Sequence, residues 1–119
     1  MDVLEAIKGR RSIRSFTDER IGLGELQGLL DAARWSPSGS NQQKWRFVVI
    51  TSPTTRALVR MFSPGMFAMP SAFIVICVEK DAKANPRAEA VYLADCAIAC
   101  QNIMLAAYEM GIGSCAVLS

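Results

Sequence analysis

Val91-Tyr92-Leu93-Ala94-Asp95-Cys96-Ala97-Ile98-Ala99-Cys100-Gln101-Asn102-Ile103-Met104-Leu105-Ala106-Ala107-Tyr108 is apolar on nearly every side, broken by Asp95, Gln101 and Asn102. With its flanks it predicts one helix from about Pro86 to Met110, roughly 37 Å long at 1.5 Å per residue. A surface helix keeps a polar face, so a helix that is apolar all round belongs in the middle of something. The three polar residues keep the run short of the roughly 18 uninterrupted apolar residues of a membrane span. A buried central helix, with no membrane partner, is the expectation.

Gly111 and Gly113 end this helix, and Cys115 to Leu118 is expected to begin a strand. Upstream, Ser71 to Val78 is a near-continuous apolar run, read as a strand covered on both faces. Met61 to Pro70 is irregular, with two Pro, one Gly and three Met. Pro53 opens a helix to about Phe62, and Trp45 to Thr51 is a strand rich in β-branched and aromatic residues. Gly24 to Trp35 is a helix with Leu26, Leu29, Leu30 and Ala33 on one face. It stops at Ser36-Pro37-Ser38-Gly39-Ser40-Asn41, where Pro cannot continue it. Near the start, Val3, Leu4 and Ile7 mark a short helix with Asp2 as N-cap and Gly9 at its end, and Arg10 to Phe16 is extended. Mixed helices and strands without a linker or repeat indicate one domain over residues 1–119, α/β or α+β.

Composition narrows the function. The chain of 119 residues is 51% hydrophobic and 20% charged, which excludes disorder and leaves apolar surface to bury against a second copy. A net charge of +2 implies neither nucleic acid nor a membrane surface. The absence of His excludes imidazole bases, Ser–His and Cys–His dyads and His-ligated metals. Cys77, Cys96, Cys100 and Cys115 contain no CxxC pair and read as buried thiols of a reducing compartment, with no metal site. The N-terminus carries no signal-peptide pattern, and a cytoplasmic location is expected.

Two clusters can carry chemistry. In Gly9-Arg10-Arg11-Ser12-Ile13-Arg14-Ser15-Phe16, extended geometry places Arg10, Ser12 and Arg14 on one side and Arg11 and Ile13 on the other. Two guanidinium forks beside a hydroxyl suit a phosphate dianion, although a solvated basic strand would have the same sequence. The second cluster, Ser36-Pro37-Ser38-Gly39-Ser40-Asn41-Gln42-Gln43, offers hydroxyls, amides and backbone N–H groups that suit the donor–acceptor edge of a flavin, or simply make a helix-to-strand turn.

Together with Ala33-Arg34-Trp35 before the second cluster, Lys44-Trp45-Arg46-Phe47-Val48-Val49 after it, and Asp95 to Asn102 through Gly111-Ile112-Gly113-Ser114-Cys115, these motifs resemble the nitroreductase family of FMN-dependent oxidoreductases. The likeness runs in order over nearly the whole chain. It implies an α+β fold, a sheet flanked by helices in an intertwined homodimer, with an FMN in each of two interface pockets. It implies that Arg10, Arg11, Ser12 and Arg14 hold the FMN phosphate, and that Pro37, Ser38, Gly39 and Asn41 contact the flavin of the other subunit. It implies ping-pong transfer of hydride from NAD(P)H through FMN to a small-molecule acceptor, a nitro compound, quinone or similar, with no catalytic acid or base. Lys44 stands where the family often has Pro. Family members also continue beyond the Gly-Ile-Gly segment with a further loop, helix and strand and another basic phosphate ligand. The chain is thus expected to be the N-terminal portion, or a C-terminally truncated member, of such a protein. Two rivals stay open at this point: a flavin-binding or dimeric scaffold without turnover, and a basic phosphate or nucleic-acid binder, marked by steep salt dependence.

Overall fold

In the computed structural model, which describes residues 1–63, 68–79, 83 and 85–117, six elements follow one another. They are α1 (Val3–Gly9), α2 (Leu23–Arg34), β1 (Trp45–Ile50), α3 (Pro53–Met61), β2 (Phe73–Val78) and α4 (Pro86–Glu109), with a one-turn 3-10 helix at Gly39–Asn41 between α2 and β1. Each start has a local cause. Asp2 accepts the N–H of Glu5 at 2.8 Å while the Glu5 carboxylate accepts the N–H of Asp2 at 3.1 Å, a reciprocal cap on α1. Asn85 accepts from the Ala88 N–H at 2.9 Å, and Pro86 follows at the first helical position of α4. Pro53 opens α3 in the same way.

α4 is the core element, 24 residues long. Its inward stripe is Asp95, Ala99, Ile103 and Ala107, spaced one turn apart. Small residues on that stripe let α2 come close, and Leu29 and Ala33 of α2 join Trp45, Ala99, Ile103 and Ala107 in the buried cluster. β1 and β2 pair antiparallel, with Trp45 opposite Val78 and Ile50 opposite Phe73. Phe47, Ile74 and Ile76 lean on the cluster from the inner face of this sheet. The fold is α+β, as expected.

Several expectations need correction. β2 is not covered on both faces: Val75 and Cys77 are exposed, on the same outer face as exposed Val48. Cys115 to Val117 form no strand; the described contact there is an isolated parallel bridge between Ser12 and Ser114, and Leu118 lies outside the described residues. Part of the irregular segment, residues 64–67, lies outside them as well. The thiols are less buried than read, with Cys77 exposed and the other three half-buried, all unpaired. α4 itself is incompletely covered. It is long and apolar enough to cross a membrane by length and composition, and only 22% of its most apolar stretch is buried within the chain. Its polar interruptions Asp95 and Asn102 nevertheless bond to protein, as described next.

Candidate functional site

The basic strand is fastened by its backbone. α1 ends where the Arg10 N–H donates to the Ala6 carbonyl at 3.0 Å. Gly9 lies flat against Tyr108, where any Cβ would run into the tyrosine hydroxyl. Ser12 then bridges Ser114, and the Ile13 N–H donates to the Ser114 carbonyl at 2.9 Å. Ile13 seats on Gly113, where an added Cβ would stand 3.0 Å from Ile13 Cγ2. Ser12 and Arg14 are exposed. Arg11 has a structural duty: its Nη1 donates to the carbonyls of Lys8 at 2.7 Å, Arg10 at 2.8 Å and Gly9 at 3.2 Å, closing the open end of α1. Arg10 departs from strict alternation, since it lines a cleft of about 200 Å³ together with Arg11, Ile13 and Tyr108.

The second cluster is held quite differently. Ser40, Asn41 and Gln43 all adopt positive φ, at 52°, 53° and 53°. Each non-glycine residue in this region costs roughly 1–2 kcal/mol, less for Asn. Internal bonds offset part of it: the Asn41 N–H donates to the Ser38 carbonyl at 3.0 Å, and the Gln43 N–H to Ser38 Oγ at 3.0 Å. The Gln43 side-chain amide donates to Asn41 Oδ1 at 3.1 Å. The rest comes from α4. The Gly39 N–H donates to Asp95 Oδ1 at 3.0 Å, and Asn102 Nδ2 donates to Ser36 Oγ at 2.8 Å. Gly39 approaches α4 so closely that a Cβ would meet Val91 Cγ1 at 2.5 Å. The buried Trp45 indole donates to the Asp95 carbonyl at 3.2 Å, anchoring the start of β1 at the same place. Lys44 adds a further tie, its Nζ donating to Tyr92 Oη at 3.1 Å and standing 5.0 Å from the ring centre.

None of the loop residues 36–43 lines the cleft beside Arg10. The loop docks at Asp95 and Asn102 and the basic strand at Tyr108 and beyond; along α4 at 1.5 Å per residue these anchors stand about 20 and about 9 Å from Tyr108. The charge of Arg10 is felt at Cys100 of α4. Burial pushes the Cys100 thiol above its ordinary pKa, against the pull of the Arg10 guanidinium, and burial followed by the Asp95 charge raises that of Cys96. Protonated thiols there leave the positive charge of the strand unneutralised. Among the described residues, no group of three or more Cys, Asp or Glu side chains could hold a metal ion.

Residue-by-residue reading missed the roles of Asp95, Asn102, Tyr108 and Ser114. Asp95 and Asn102 were visible as polar residues two turns apart in an apolar helix, which is the available signal. Tyr108 and Ser114 carried none, because each matters only through a partner distant in the chain.

The description of the nitroreductase family matches residues 7–64 and 57–119. A protein of Methanothermobacter thermautotrophicus, provisionally named NADH dehydrogenase/NAD(P)H nitroreductase, is 34% identical over 116 residues, covering 96% of this chain and 59% of that one. The crystal structure of a provisionally named nitroreductase from Desulfovibrio desulfuricans, in complex with FMN, superimposes with a TM-score of 0.82 at 31% identity, over 93% of this chain and 64% of that one. An FMN-dependent nitroreductase of Clostridium difficile R20291 does so with a TM-score of 0.83 at 29% identity, over 95% of this chain and 64% of that one. The chain thus spans about three fifths of the length of these relatives.

Proposed function

The chain belongs to the nitroreductase family, and on that premise we propose that it is an FMN-dependent oxidoreductase, using NAD(P)H to reduce a small acceptor such as a nitro compound or quinone, and working as a homodimer. The observation that carries this is the separation of the two clusters along α4. A two-fold axis across α4 would set the Asp95 end of one copy beside the Tyr108 end of the other, so that each pocket draws on both chains. The cleft of about 200 Å³ beside Arg10 is smaller than the 300–1,000 Å³ usual for a bound organic ligand, which also favours a pocket completed by a second copy.

The donor set fits the cofactor. Exposed Ser12 and Arg14, with Arg10 at the helix end, present charge and a hydroxyl suited to a phosphate dianion on a backbone that is already fixed. Arg11 contributes charge to the same place, while its Nη1 holds α1. Pro37, Ser38, Gly39 and Asn41 of the second copy would lie against the flavin ring, orienting it through amide and backbone groups and excluding water from one side. When bound, FMN supplies the hydride chemistry itself. The chain's part is to hold the phosphate, fix the ring and leave room for reductant and acceptor.

A mixed-dimer titration tests the shared pocket. Arg14→Ala and Asn41→Ala homodimers should each bind FMN poorly, whereas their heterodimer should regain one intact pocket and bind at half-occupancy with near-normal affinity. A heterodimer without a tight site would sink the arrangement, and an unmutated chain that stays colourless with FMN would sink the function. A second reading is a flavin-binding dimeric scaffold without turnover; failure to oxidise NADH with an added nitroarene or quinone, despite bound FMN, would select it.

A further inference from the structure

We propose that Asp95 and Asn102 are positioning residues that hold the loop 36–43 in its left-handed form from the core helix, and so set where Ser38, Gly39 and Asn41 meet a bound flavin. Only the last clause rests on the flavin reading above. Four observations converge. The loop carries three non-glycine residues at positive φ within four positions, a conformation that persists only where the surroundings over-determine it. The two polar side chains of α4 that point at it each bond a different part: Asp95 takes the Gly39 N–H, and Asn102 grips Ser36. Asp95 and Ser36 are both only 6% exposed, so each bond has one partner shielded from water. Gly39 itself has no room for a Cβ against Val91, so the loop must lie on the helix to make these bonds. The helix that supplies them is the one whose uncovered apolar face would pack against a second copy. Dimer core and flavin loop are thereby joined by two side chains.

The test uses amide exchange and FMN titration on the 119-residue chain. In the unmutated chain the Gly39 amide should exchange at least about tenfold slower than an unstructured amide. Asp95→Ala should abolish that protection and weaken FMN about tenfold, whereas Asp95→Asn, which keeps an Oδ1 acceptor, should restore both to within about threefold. Should Asp95→Ala fail to fold by circular dichroism, Ser36→Ala removes the Asn102 acceptor from the loop side and leaves α4 intact; it should weaken FMN in the same direction. An unprotected Gly39 amide in the unmutated chain overturns the proposal. So does a folded Asp95→Ala or Ser36→Ala protein with FMN affinity unchanged. If the unmutated chain quenches no FMN fluorescence, the flavin reading fails, while the exchange series still decides whether Asp95 holds the loop.

Discussion

The basic strand at 10–14 and the loop at 36–43 are both expected to touch one cofactor, yet they are built on opposite principles. In the strand the backbone is relaxed, with a parallel bridge to Ser114 holding it, and the side chains of Ser12 and Arg14 stand out in solvent. In the loop the backbone is strained, bonded to itself and clamped to α4. One region would recognise by charge and the other by shape. Their responses to mutation and salt should therefore differ. Substitutions in the strand should alter binding and spare stability, and those in the loop should alter stability first.

The largest expected effect breaks the comparison by separating the two regions. Ile98 is 39% exposed in the single chain, on the uncovered side of α4. Ile98→Asp would place an unpaired carboxylate in the proposed dimer contact, at a cost of several kcal/mol, on the order of 3–5. Light scattering should report a dimer for the unmutated protein and monomer for the variant; a folded monomer in both would remove the shared pocket. Next come Arg10→Ala and Arg14→Ala, each expected to weaken FMN by about 1.5–3 kcal/mol with little change in urea midpoint. Riboflavin, which has no phosphate, should bind weakly and be indifferent to both substitutions. Equal affinities for FMN and riboflavin would mean the strand does not read charge.

Gly39→Ala sharpens the contrast from the loop side. Its Cβ would meet Val91 Cγ1 at 2.5 Å, and overpacking of that kind costs about 1–3 kcal/mol. The urea midpoint should fall, whereas the same change at Gly24, where an added Cβ meets nothing within 4 Å, should leave it unchanged or higher. Ser40→Gly is the smallest and has the opposite sign. Release of the left-handed penalty, offset by glycine's greater freedom in the unfolded chain, should stabilise by about 0.5 kcal/mol. A fall in stability would show that the Ser40 side chain, and not its backbone, matters to the loop.

The sequence made some of this contrast legible. Pro53, Pro86, Gly9 and Gly111 punctuate the chain, and the period of Leu26, Leu29 and Ala33 gives the buried face of α2, because these signals are local. What escaped is non-local. Nothing around Ser40 requires left-handed backbone; Asp95 imposes it from the other half of the chain. The hold of Arg11 on the end of α1 escaped too, since the carbonyls it caps belong to backbone and leave no mark on composition. The outer face of β2 was misread because an apolar run records what a strand is meant to be packed against, and a single copy of this chain does not supply all of it.

The bridge between Ser12 and Ser114 has a consequence for how the protein is made. A chain elongating at about 5–20 residues per second takes roughly 5–20 s to pass from the first serine to the second. α1 can form in that time, but α2 must wait for α4, and residues 10–14 have no Ser114 to bridge. The basic segment is therefore made well before the residue that anchors it. Closing so long a loop is slow relative to local structure, although its entropy grows only with the logarithm of length. A nascent chain halted between Glu109 and Ser114 would carry a complete core helix and an unmoored cluster of positive charge.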